Sequence, residues 1–123
     1  MPDAQKKVLV VEDDETIRNM IRLYLVRFPI TIYEARDGLE GLALSARILP
    51  DLILTDITMP RMDGLELIKA LQAVEKMKNI PIIVITGTPL PDASTLMKEG
   101  AAAILQKPVT HAEIRQAISL FLK

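Results

Sequence analysis

The alternation of short apolar runs with amphipathic stretches predicts an α/β fold, a parallel sheet covered by helices on both faces. Two observations carry this. Val8-Leu9-Val10-Val11, Leu52-Ile53-Leu54 and Ile82-Ile83-Val84-Ile85 are unbroken and rich in β-branched residues, as strands buried on both sides require. Each is followed by turn residues and then by apolar residues at helical spacing. With two weaker runs added, the strand-then-helix unit occurs five times. Right-handed crossovers leave few topologies for such a chain, and the doubly wound five-stranded order 2-1-3-4-5, with five helices, is the one expected.

The elements follow in order. Residues 1–6 are expected as a polar tail and 7–123 as one domain. The first strand ends in Glu12-Asp13-Asp14, with Asp14 as cap of a helix over about 15–27. Ile17, Ile21, Tyr24-Leu25 and Phe28 give that helix one apolar face, and Pro29 ends it. Ile30-Thr31-Ile32-Tyr33-Glu34 alternates more, which suits a strand near the sheet edge. Asp37-Gly38-Leu39-Glu40 has capping-box spacing and opens a second helix, with Leu39, Leu42-Ala43 and Ala46 as its apolar face. Pro50 closes it before the third strand, which ends at Asp56. Asp63-Gly64-Leu65-Glu66 is a second capping box, and Leu67, Leu71, Val74 and Met77 continue the third helix. The fourth strand ends in Thr86-Gly87. A helix over 89–99 rests on few apolar positions, with Gly100 as its C-terminal cap. Ala103-Ile104-Leu105-Gln106 forms the last strand and runs into Lys107-Pro108. Thr110-His111-Ala112-Glu113 caps the last helix, which carries Ile114, Ala117-Ile118 and Phe121 inward.

Composition excludes several functions. Fifteen basic against sixteen acidic residues, with no basic run beyond Lys6-Lys7, argue against nucleic acid. The aromatic residues are only Tyr24, Phe28, Tyr33 and Phe121, so the core is aliphatic and no stacking platform exists. There is no cysteine, which removes disulfides and thiolate metal sites. No signal-peptide pattern or membrane-length apolar run is present, so the expected location is the cytoplasm. No glycine-rich phosphate loop follows the first strand, which argues against a nucleotide or flavin binder.

In the order 2-1-3-4-5, strands 1 and 3 are neighbours at the switch point, beyond whose carboxyl ends ligands bind. Glu12-Asp13 and Asp56 end those strands; Thr86 and Lys107 end strands 4 and 5. Three close carboxylates repel one another unless a cation intervenes, and an oxygen-only set suits Mg²⁺. Lys107 adds a movable positive charge, and Thr86 a hydroxyl able to bond a phosphoryl oxygen. An aspartate beside Mg²⁺ and lysine is equipped to accept a phosphoryl group as an acyl phosphate. Alone, a strand-end carboxylate fits a solvated or capping acid equally well; the company of Glu12, Asp13, Thr86 and Lys107 decides for the nucleophile.

Val8–Asp13, Asp56 with Met59-Pro60 and Asp63-Gly64, Thr86, and Lys107-Pro108 together resemble the response-regulator receiver domain of two-component signalling. The likeness covers essentially the whole chain and implies a flavodoxin-like fold. It implies Asp56 as phosphoacceptor, with Glu12, Asp13, Asp56 and the backbone carbonyl of Thr58 as the Mg²⁺ site. Thr86 and Lys107 would contact the phosphoryl group, and the Lys107–Pro108 peptide would be cis. The implied partners are a sensor histidine kinase or phosphotransfer protein and a downstream protein target. With no residues after Lys123, output through protein contact is expected, and a phosphorylation-dependent dimer is compatible with it.

The chain departs from the family pattern in three places. Glu12 stands where aspartate is common, and its longer arm can reach a metal through water. Ile104 stands where an aromatic residue often swings inward, so that switch is absent. Gly87 follows Thr86, with Thr88 and Pro89 next. Thr58 and Thr88 carry no carboxylate or amide to orient a water, which favours a persistent acyl phosphate. Two other classes remain open at this level. A phosphorylation-independent interaction module would keep the fold without the chemistry. A Mg²⁺-dependent aspartyl phosphatase would need a second acid two residues after Asp56, where Thr58 stands. His111 reads as a solvated surface residue, the methionines as packing, and Leu120 and Leu122 as surface leucines or part of a partner face.

Overall fold

The computed structural model describes residues 5–87 and 93–122. The chain runs β1 (Lys6–Val11), α1 (Glu15–Leu25), β2 (Ile30–Ala35), α2 (Gly38–Ile48), β3 (Leu52–Thr55), α3 (Gly64–Gln72), β4 (Ile82–Thr86), α4 (Ala93–Glu99), β5 (Ala103–Gln106) and α5 (His111–Phe121). The sheet order is β2-β1-β3-β4-β5 with every pairing parallel, as the alternation predicts. β1 begins at Lys6, one residue inside the expected tail.

Side chains alternate across the sheet and feed two cores. Leu9, Val11, Ile53, Ile82 and Val84 point to one face, where Leu67, Ile68 and Leu71 of α3 cover them. Val8, Val10, Leu52, Leu54, Ile83 and Ile85 point to the other, against Ile21 and Leu25 of α1 and Ile114 and Ile118 of α5. β3 is buried along its whole length, as its unbroken apolar run requires. Each fully buried leucine or isoleucine contributes about 2 kcal/mol, so the central strands hold the sheet together. β2 and β5 are edge strands and only half-buried for most of their length.

Three helices differ from the expectation. α2 does not bury Leu39, Ala43 or Ala46, which are exposed; it buries Gly38, Gly41 and Ser45. The cause is close approach: a Cβ on Gly41 would lie 2.9 Å from Val11 Cγ2, so the helix backbone rests almost on the sheet. Ser45 is tolerated there because its hydroxyl donates to the Gly41 carbonyl at 2.7 Å. α3 stops at Gln72, although Val74 and Met77 continue its spacing. The N–H of Val74 bonds Leu71 O at 3.2 Å, and that of Met77 bonds Val74 O at 2.9 Å. This tighter winding turns Val74 outward and still buries Met77. The helix expected over 89–99 is present as α4 over 93–99, and residues 88–92 lie outside the described residues. Gly100 closes it at φ +128, with the N–H of Ala101 on Leu96 O at 2.9 Å.

Candidate functional site

The site is assembled by strand register. Val11 pairs with Thr55, and the N–H of Asp56 continues the ladder to Val11 O at 3.0 Å. Glu12 does the same on its other side, donating its N–H to Ala35 O at 3.0 Å. Glu12 and Asp56 therefore leave the sheet side by side, both buried, while Asp13 is exposed beside them. A carboxylate oxygen from each of the three lies within 4.8 Å of the others.

β5 supplies the cation. The Lys107 N–H donates to Thr86 O at 2.7 Å, and the Lys107–Pro108 peptide is cis, as the family likeness implies. The Lys107 ammonium reaches back across the strand ends, 2.7 Å from Glu12 Oε1 and 3.0 Å from Asp56 Oδ2. Asp56 Oδ1 accepts the N–H of Ile57 at 2.7 Å. Thr86 is buried at the end of β4, and Thr58 is exposed in the loop two residues after Asp56.

Charge in this cluster is out of balance. Burial pushes the Glu12 carboxyl up to about 7; the Lys107 ammonium opposes that rise, and the negative charge of Asp56 adds to it. Burial alone would lower the Lys107 ammonium, but its bonds to Glu12 and Asp56 outweigh it and hold the group above its ordinary value. Two buried carboxylates thus share one ammonium, with the exposed Asp13 carboxylate beside them. A hard divalent cation held by oxygen fits that donor set, and the set contains no nitrogen or sulfur to favour a softer metal.

The loop from Asp56 to α3 is held at both ends. Gly64 approaches so closely that a Cβ there would lie 2.3 Å from Asp56 O, and its N–H bonds Ile57 O at 2.8 Å. At the far end the N–H of Gly38 bonds Met62 O at 3.0 Å. Arg61, at φ 68, donates through Nε to Asp37 Oδ2 at 3.0 Å and through Nη2 to the same oxygen. The Glu40 N–H and the Arg61 guanidinium hold the buried Asp37 carboxyl below its ordinary value. Asp37 caps α2 by accepting from Glu40 N–H at 2.9 Å, but Glu40 turns to Arg36 N–H, so this capping box is half made. The boxes at Asp63 and Thr110 are complete.

Two residues near the site carry no signal in the sequence. Arg18 on α1 donates through Nη1 to the Glu12 carbonyl at 2.8 Å while pairing with Glu34 at 3.1 Å, which fixes the end of β1. Arg61 depends on a left-handed backbone that its neighbours do not announce. His111 is half-buried, its ring 5.5 Å from that of Tyr24, so it packs α5 on α1 instead of facing only solvent. Ile104 is half-buried against the core under α3, and Leu122 against the opposite core, while Leu120 is exposed. Thr88 and Pro89 lie outside the described residues.

Known proteins share this arrangement. The response regulator receiver domain matches residues 8–119. The polar-differentiation response regulator DivK of Brucella ovis is 32% identical over 118 residues, covering 95% of this chain and 96% of that protein. Among solved structures, the chemotaxis response regulator CheY4 of Vibrio cholerae has a TM-score of 0.88 at 30% identity, with 97% of this chain and 100% of that one covered. The receiver domain of sensor histidine kinase PA1611 from Pseudomonas aeruginosa PAO1, solved with a magnesium ion coordinated in its active site cleft, has a TM-score of 0.87 at 25% identity, covering 96% and 98%. Among the described residues no helix is long and apolar enough to cross a membrane. With its fold, its strand-end acids and its cis peptide in place, this chain belongs to the response regulator receiver domain family.

Proposed function

We propose that Asp56 accepts a phosphoryl group from a phosphohistidine of a sensor kinase or phosphotransfer protein, and that the domain over 7–123 passes this event to a protein target in the cytoplasm. One observation supports the reading above the rest: the Lys107 ammonium bridges Glu12 and Asp56, so the ends of β1, β3 and β5 meet at one ammonium. A carboxylate oxygen of Asp56 attacks phosphorus, the donor's P–N bond breaks, and its electron pair returns to the imidazole. Mg²⁺, held by Glu12, Asp13, Asp56 and the Thr58 carbonyl, would offset the negative charge on nucleophile and phosphoryl group. Glu12, the longer acid, would serve the metal directly or through a water. Lys107 gives up its carboxylate contact with Asp56 and takes a phosphoryl oxygen, and the Thr86 hydroxyl donates to another. The modification places about two negative charges at Asp56. That charge pulls Lys107 and Thr86 toward it and shifts the β4–β5 end of the sheet, without an aromatic swing at Ile104.

Intact mass after incubation with acetyl phosphate and Mg²⁺ tests this. The wild type should gain one phosphoryl group, lost on hydroxylamine treatment, and Asp56→Asn should gain none. Equal uptake by Asp56→Asn would remove Asp56 from the role, and no uptake by the wild type would leave an interaction module as the better reading.

A further inference from the structure

We propose that Arg61 is a positioning residue for the metal site: its ion pair with Asp37 fixes the loop carrying Thr58, and so the aim of the Thr58 carbonyl. The inference rests on the reading of Thr58 as a metal ligand given above.

A loop is aimed only as well as its ends are held, and this one is held by three different means. At its root, Gly64 lies against the Asp56 carbonyl with no space for a side chain. At its far end, Gly38 lies against the Met62 carbonyl, where a Cβ would approach to 2.2 Å. Both are backbone contacts, and between them the Met59 side chain, next to Thr58, is buried in the core. The third means is the Arg61 fork on Asp37 Oδ2. Asp37 is a firm anchor because it is buried and already fixed as the cap of α2.

Arg61 reaches it from a backbone at φ 68, a region that disfavours residues with a Cβ by about 1–2 kcal/mol. Glycine would satisfy that conformation better, so backbone geometry alone does not call for arginine. The Arg61 side chain is 61% exposed, so the pair adds little to folding stability and is screened by salt. A contact that costs backbone strain and contributes little to stability is better explained by what it orients. The partners of metal ligands have that function elsewhere, and their loss weakens binding without unfolding the protein.

Arg61→Gly separates the two roles, because it removes the guanidinium while relieving the backbone. Asp37→Asn removes the charge but keeps a residue equally able to cap α2. Mg²⁺ binding to the full chain is measured by calorimetry at low salt, and melting is followed in chelator. Each variant should weaken Mg²⁺ binding about threefold to tenfold, at or below the low end for outer partners because the arginine is exposed. The double variant should be no weaker than either single one, since both remove the same pair. Arg61→Gly should melt at or above the wild-type temperature without metal. Arg61→Lys should recover part of the affinity through a single bond. Unchanged Mg²⁺ affinity in Arg61→Gly would overturn the inference, as would a loss of affinity matched by a fall in metal-free melting temperature. Failure of the wild type to bind Mg²⁺ would instead overturn the metal-site reading, and this inference with it.

Discussion

On the β1–β3 side of the site the backbone itself is locked, whereas on the β4–β5 side a long side chain does the reaching. Glu12 and Asp56 continue ladder hydrogen bonds beyond their strands, and the loop after Asp56 is closed by contacts that tolerate no Cβ at Gly64 or Gly38. Across the site, Lys107 joins through its ammonium, and among the described residues a Cβ on Gly87 would meet only ordinary contact, 3.5 Å from Lys107 Cδ. The difference separates two tasks. The side that must hold a metal and a nucleophile in fixed geometry is built from backbone, and the side that must respond to a new charge is built from groups that can move.

The largest test of that contrast is steric. Gly64→Ala forces a methyl group to within 2.3 Å of the Asp56 carbonyl, and Gly38→Ala forces one to within 2.2 Å of the Met62 carbonyl. Alanine would favour the helix ends by about 1 kcal/mol, but backbone displacement costs more. Each variant should lose about 3 kcal/mol of stability, or roughly 10 °C in melting temperature. Gly64→Ala should also lose phosphoryl uptake at a temperature where it remains folded, because the displaced carbonyl belongs to the nucleophile. Melting within a degree or two of wild type would show that the loop is not locked.

The same contrast separates what the sequence disclosed from what it hid. The strands were legible because stretches buried on both faces are apolar, and Val8–Val11, Leu52–Leu54 and Ile82–Ile85 of β1, β3 and β4 are. Strand order then placed Glu12, Asp56 and Lys107 together, although 51 residues separate Lys107 from Asp56. The face of α2 was misread because its contact is made by Gly41 and Ser45, which carry no apolar signal. The end of α3 was hidden because Val74 and Met77 keep helical spacing through a segment of turns. Arg61 was hidden for a related reason. Its meaning lies in a backbone angle and in a partner 24 residues away on another element.

An intermediate effect concerns protons on the locked side. The Glu12 carboxyl titrates near 7, well above its ordinary 4.5, chiefly through burial. An acid whose folded value is raised adds stability that is complete below its unfolded value and is lost as pH rises through the folded one. In chelator the wild type should therefore melt a few degrees lower at about pH 8 than at about pH 6, and Glu12→Gln should lose that slope. Mg²⁺ reverses the preference, because it takes the carboxylate and releases the proton. Its apparent affinity should rise up to about tenfold per pH unit below 7 and level off above it. Calorimetry across that range checks the sign; an affinity independent of pH would mean that Glu12 enters the site already ionised.

The smallest effect belongs on the other side. Gly87 has no positive φ and no close neighbour among the described residues, so Ala at this position enters ordinary contact with the stem of Lys107. Replacing a glycine whose conformation alanine can adopt stabilises by up to about 1 kcal/mol, by reducing the freedom of the unfolded chain. Gly87→Ala should therefore melt at or slightly above the wild-type temperature, the opposite sign to Gly64→Ala. The added methyl group also limits where the Lys107 stem can lie, so phosphoryl uptake should change by no more than about threefold, roughly the value of a few van der Waals contacts. Melting curves and acetyl phosphate kinetics on the two alanine variants, measured together, decide the matter. If Gly87→Ala destabilises the fold as much as Gly64→Ala does, the β4–β5 side is as rigid as the metal side, and the division of tasks between them is wrong.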